Sequence, residues 1–177
     1  MHTIFIIVLI ILGIITFLLI VAFFTKKKHD VKREIIINAA TQKVFEYLKI
    51  LKNQDAFNKN AIADPNRKET YSGIDGTVGF TIAWNGNKNV GEGKKEIKNI
   101  VEGRSIETEI SFVKPMAATA TIIIETQTLP NNQTKVIWNN AGILKYPINI
   151  FIPMMEKHVA KDMDSSLITL KNILEKE

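Results

Sequence analysis

Residues 4–24 form an unbroken apolar run with no charge, in which only Gly13, Thr16 and Ala22 are not Ile, Leu, Val or Phe. As a helix rising about 1.5 Å per residue it would reach roughly 31 Å, matching a hydrocarbon core about 30 Å thick. Its 18 Ile, Leu, Val and Phe side chains make insertion favourable by roughly 5 to 10 kcal/mol. The run is therefore expected to be a transmembrane helix. A cleaved secretory signal has a basic start, a shorter apolar stretch and a small-residue cleavage site. Here no Lys or Arg precedes Ile4, and Ala22-Phe23-Phe24-Thr25 offers no small pair. The chain has no cysteine, which excludes a lipoprotein anchor, disulfides, thiolate metal sites and Cys nucleophiles.

Residues 25–30 read as a basic juxtamembrane linker. Lys26, Lys27 and Lys28 follow the span, whereas only Met1, His2 and Thr3 precede it. The positive-inside rule then places a single-pass protein with its domain on the cytoplasmic side. From Asp30 onward the chain carries 20 basic and 18 acidic residues, a formal net charge of +2 against +5 for the whole. With no basic stripe interleaved with aromatics, no nucleic-acid partner is expected.

Residues 31–177 are expected to be one α+β domain. Residues 31–37 read as a strand. Asn38-Ala39-Ala40-Thr41 offers capping residues for a helix running to about Leu51, with Val44, Leu48 and Leu51 on its apolar face. The stretch 53–66 reads as polar and irregular, with one short helical turn. Val78, Phe80, Ile82 and Trp84 alternate with period two, and Asn85-Gly86-Asn87 signals a hairpin whose return strand runs over 90–100. Ile106, Thr108, Ile110 and Phe112 share one face of the next strand, and strands follow over 118–128 and 134–140. Met155, Val159, Met163, Leu167, Leu170 and Leu174 recur at steps of three and four, so 153–175 should be one amphipathic helix with Pro153 near its start.

This order resembles the START-like helix-grip fold of the SRPBCC superfamily, and most closely the bacterial polyketide cyclase/dehydrase-like group. The resemblance lies in Val31-Lys32-Arg33-Glu34-Ile35-Ile36-Ile37-Asn38-Ala39, in Tyr71-Ser72-Gly73-Ile74-Asp75-Gly76-Thr77-Val78-Gly79, in Trp84-Asn85-Gly86-Asn87 with Gly91-Glu92-Gly93, and in Phe112-Val113-Lys114-Pro115. It spans residues 31–177. The segment Phe57-Asn58-Lys59-Asn60-Ala61 departs from it, since such proteins commonly carry tryptophan there. The resemblance implies a curved antiparallel sheet wrapped around the long C-terminal helix, with a pocket between them for an apolar or amphipathic molecule. It implies no particular reaction.

Read on their own, the residues present no catalytic constellation and no metal site, and no cofactor is expected. The only histidines are His2, His29 and His158. His158 borders the apolar face of the last helix and reads as a solvated or hydrogen-bonded residue, without a partner at a defined spacing. Glu92, Glu96, Glu107 and Glu109, mixed with Lys94, Lys95 and Lys98, read as exposed cross-strand ion pairs. Candidate cavity residues are Phe80, Trp84, Ile110, Phe112 and Trp138 on the strands, and Met155, Val159 and Met163 on the helix. Three functions follow: a membrane-anchored binding module for an apolar small molecule or lipid, a cyclase- or dehydratase-like enzyme using the same cavity, or an interaction domain whose core is filled by side chains.

Overall fold

The computed structural model describes residues 2–176. Helix α1, His2–Phe24, is apolar all round and projects with nearly every side chain exposed. Among the described residues it is the one helix long and apolar enough to cross a membrane. Strand β1, Lys28–Ile37, begins three residues earlier than the alternation suggests and takes up half of the expected linker. It does so because Lys28 and His29 pair with Ile143 and Gly142 of a distant strand, a partner invisible from local sequence.

The sequence predicts one helix and then a short helical turn; the structure has three helices. Helix α2, Thr41–Lys49, stops where Ile50 turns extended, and α3, Leu51–Phe57, starts at once. The break is stabilised from a distance: the Asp75 carboxylate accepts hydrogen bonds from the backbone N–H groups of Leu51 (2.8 Å) and Lys52 (3.1 Å), acting as an N-cap supplied by another loop. Asn53 and Gln54 then donate their side-chain amides to the carbonyls of Tyr47 and Leu48 at the end of α2. The stretch read as irregular is thus α3 followed by α4, Lys59–Ile62, whose N-cap is Asn58.

The remaining strands are β2 (Lys68–Ser72), β3 (Thr81–Asn85), β4 (Glu92–Val101), β5 (Ser105–Lys114), β6 (Ala118–Leu129) and β7 (Gln133–Ile143). They form one seven-stranded antiparallel sheet in the order β1-β7-β6-β5-β4-β3-β2. Val78 lies outside β3 and is exposed, although its alternation suggested strand. Gly76 and Gly79 adopt positive φ on either side of it, a conformation a strand does not contain. Register shifts in β4 at Glu92/Gly93 and Ile97/Asn99 mark bulges, which bend a strand.

A 3₁₀ turn, Ile148–Phe151, leads into the long helix α5, Ile152–Lys176. Its buried stripe of Met163, Leu167, Leu170 and Leu174 packs with Val31, Ile122, Val136 and Trp138 of the sheet and with Val44, Leu48 and Phe57 of α2 and α3. Each such side chain stabilises the fold by about 1.5 to 3 kcal/mol when fully buried. A smaller cluster joins Leu51, Phe80, Ile82 and Ile97, and Ile100 packs against both clusters. The result is the expected α+β architecture, with the long helix laid on one face of an antiparallel sheet.

Candidate functional site

After the buried Ile152 at its start, α5 next buries a side chain fully at Ala160; Met155 and Val159, between them, are half-buried. Above them lies a cavity of about 390 Å³, walled by Ile110, Ile122 and Trp138 from the sheet and by Met155, Val159 and Met163 from the helix. A second cavity of about 280 Å³ adjoins it, walled by Ile82, Trp84 and Lys95. Both share Asn58, Asn60, Ile110, Phe112, Val159 and Asp162, which stand between them.

Of the eight residues singled out from sequence, Ile110, Phe112, Trp138, Met155, Val159 and Met163 meet around the first cavity. Trp84 lines the second. Phe80 lies in the smaller core cluster beside Leu51 and Ile97, so its side chain is packing rather than wall.

Room for the tryptophan is made by a glycine. Trp84 and Gly93 are cross-strand partners, and a Cβ on Gly93 would stand 2.7 Å from the indole Cζ2. On β7 the same device recurs, since a Cβ on Gly142 would stand 2.5 Å from Cε1 of the buried His29. His29 lines the first cavity, with Nε2 3.2 Å from Oδ1 of Asn140. Its other nitrogen, Nδ1, and the indole N–H groups of Trp84 and Trp138 are buried without a hydrogen-bond partner in the protein. Three polar nitrogens of residues that line the two adjoining cavities are thus buried without a partner in the protein, an arrangement that is costly for the fold.

Lys95 corrects the sequence reading most sharply. The expectation is an exposed cross-strand ion pair, and Glu92 and Lys114 do form one between β4 and β5 (2.7 Å), as do Lys98 and Glu109 (3.6 Å), while Glu96 holds Lys98 along the same strand (2.9 Å). Lys95 instead points inward and is buried, opposite Ile82 on β3 and Ile110 on β5. Its ammonium lies 3.5 Å from Oε1 of Gln54 and 3.6 Å from Oδ1 of Asp55. Asp55 is shared with Arg67 (3.2 Å), which also holds Glu69, which in turn accepts from the Tyr71 hydroxyl. Burial pushes the Lys95 ammonium below its ordinary range, with Asp55 opposing. The hydrogen bond to Glu69, and then burial, push the Tyr71 phenol up to about 12. The signal for Lys95 was in the alternation Gly93, Lys95, Ile97, which puts the lysine on the buried face; the surrounding charges concealed it.

His158 is exposed, with Nε2 3.2 Å from the Asp162 carboxylate, as a hydrogen-bonded helix residue. Asp162 also takes the Lys59 ammonium at 2.7 Å, and Ser166 Oγ accepts from the Lys59 backbone N–H at 3.0 Å. These contacts strap α4 to α5 over the boundary between the cavities. Among the described residues no three His, Asp or Glu side chains gather as metal ligands.

No family model matches the chain, and none of the curated proteins does. Solved structures do. The hypothetical protein jhp0584 from Helicobacter pylori matches with a TM-score of 0.64 at 10% identity, covering 82% of this chain and 88% of the other. The Aha1 dimer from Colwellia psychrerythraea matches at 0.58 and 18% identity (83% and 96% covered), and Ara h 8.0201 at 0.59 and 11% (85% and 99%). At such identities the likeness is one of fold, and the fold is a helix grip, an antiparallel sheet with a long C-terminal helix laid against it.

Proposed function

We propose that this chain is a membrane-anchored helix-grip domain that binds an apolar or amphipathic small molecule or lipid between its sheet and α5. The observation that carries the reading is an apolar cavity of about 390 Å³ walled by Trp138, Met155 and Met163, in which the Trp138 indole N–H and the His29 Nδ1 have no partner in the protein. Ligand sites commonly enclose roughly 300 to 1,000 Å³, mostly apolar with a few placed polar groups. Two methionines on the wall suit a ligand of adaptable shape, because their side chains are flexible and polarizable. Helix α1 serves as the anchor, and Lys26, Lys27 and Lys28 hold the domain on the cytoplasmic side.

Native mass spectrometry of the detergent-purified full-length protein tests the binding reading. A discrete co-purified mass, absent from Met163→Trp, is expected; a bare chain that also takes up no apolar probe would favour a core filled by side chains. A reporter fused after Glu177 should be active only as a cytoplasmic reporter, and activity on the other side of the membrane would overturn the orientation.

One observation favours a second reading, an acid–base enzyme of the cyclase or dehydratase kind. Lys95 is a buried amine on a cavity wall with its pKa lowered by desolvation, the direction of shift that favours a lysine as a general base. Turnover of a bound ligand by the parent chain and its loss in Lys95→Met, with binding retained, would establish it.

A further inference from the structure

One end of the domain carries large apolar side chains that no element covers. Val113 and Met116 lie where β5 turns to β6, Ile143 and Tyr146 where β7 ends, and Phe151 and Met154, 54% and 66% exposed, where α5 begins. Met116, Ile143 and Phe151 also line the first cavity, so this patch is its rim.

The patch adjoins α1. Asn149, in the 3₁₀ turn between Tyr146 and Phe151, donates to the carbonyls of Ala22 and Thr25, and the Leu144 N–H donates to Lys27. Ala22 is thereby buried against the domain, while the rest of α1 stands exposed. Exposed Lys27, Lys145 and Lys157 are spread around the same end.

We infer that this end of the domain is seated in the headgroup layer of the bilayer that holds α1, with the cavity mouth open to the lipid. The inference rests on α1 being a membrane anchor. A helix whose last turn is bound to the 3₁₀ turn cannot leave the bilayer without bringing Tyr146, Phe151 and Met154 to the interface. There, aromatic and aliphatic side chains are favoured and lysines meet anionic headgroups. An apolar patch this extensive on a lone soluble domain would otherwise be an association hazard. The ligand class follows: an acyl or isoprenoid chain that passes between bilayer and cavity without crossing water.

The absence of cysteine makes the test direct. Full-length chains carrying single Leu12→Cys, Met154→Cys or Glu102→Cys substitutions are labelled with an environment-sensitive fluorophore. They are then reconstituted in phosphatidylcholine/phosphatidylglycerol vesicles whose acyl chains bear nitroxide quenchers. Glu102 lies at the opposite end of β4 and β5, about 30 Å away at roughly 3.3 Å per residue. Quenching at Leu12 and Met154 with full emission at Glu102 is the expected result. Quenching at Leu12 with Met154 as bright as Glu102 would overturn the docking and leave the anchor standing. An unquenched Leu12 would overturn the anchor, and the docking with it. A Met154 label that is dry yet unquenched, and grows wetter as protein is diluted in lipid, would assign the patch to a second copy of the chain and overturn the bilayer as its partner.

Discussion

The side-chain amide of Asn149 donates to the carbonyl oxygen of Ala22 at 2.6 Å, and the same nitrogen reaches Thr25 at 2.8 Å. The end of α1 is thus closed by a residue 127 positions away. Helix C-termini leave carbonyls without intrahelical partners, and here the domain supplies the donor. The anchor and the domain are joined through side chains as well as through the chain itself.

Asn149→Leu should therefore destabilise the full-length protein by about 1 to 3 kcal/mol, the cost of leaving buried polar groups unpaired. In a chain beginning at Lys26, which lacks both partners, the same substitution should be close to neutral. Thermal melts of the four proteins make the comparison. Equal losses in both backgrounds would place the role of Asn149 elsewhere.

Met163→Trp should fill the first cavity. Met163 is buried on its wall, and the added bulk should cost about 1 to 3 kcal/mol through overpacking. An apolar fluorescent probe is expected to bind the parent protein at one site and the variant not at all. Probe binding that survives the substitution would put the site outside this cavity.

Gly93→Ala should displace the Trp84 ring, because the new methyl carbon would meet the indole at 2.7 Å and the Ser111 carbonyl oxygen at 2.6 Å. The expected cost is again about 1 to 3 kcal/mol. With only two tryptophans in the chain, a Trp138→Phe background isolates Trp84, and its emission should shift. Unchanged emission would mean that the strand yields instead of the ring.

Lys95 predicts a pH effect of definite sign. Its folded pKa is lowered below 10.5 by burial, so between the folded and unfolded values the unfolded chain binds more protons and stability rises with pH. The destabilising contribution is fully present below the folded pKa and is relieved as pH climbs toward 10.5. Lys49 works the other way: its hydrogen bond to Glu46 raises its pKa, and the stability it contributes is lost at high pH. Subtracting the denaturation profile of Lys95→Met from that of the parent removes such common terms. A flat difference across the alkaline range would show Lys95 to be solvated in the folded state.

Periodicity carried much of this molecule. The stripe Met163, Leu167, Leu170 and Leu174 placed α5, the alternation of Ile106, Thr108 and Ile110 placed β5, and both were readable because the buried face of each is set by spacing alone. Of the eight side chains that spacing singled out, six lie around the first cavity and Trp84 beside the second, and the apolar run became α1. What depended on contacts distant in sequence was not readable. Asp75 capping Leu51 starts a helix, α3, where the sequence suggests an irregular stretch with one helical turn, and His29 joined the wall only because β7 pairs with β1 and Gly142 leaves room for its ring. Lys95 was hidden by its own charge, since a lysine among glutamates reads as surface until its strand is paired on both sides and its neighbours across the ladder prove to be Ile82 and Ile110. Local sequence thus determined which faces are apolar, through side-chain period and hydrophobic free energy. Chain closure alone decided which polar groups those faces enclose, because an isolated strand or helix carries no information about the partner that buries it.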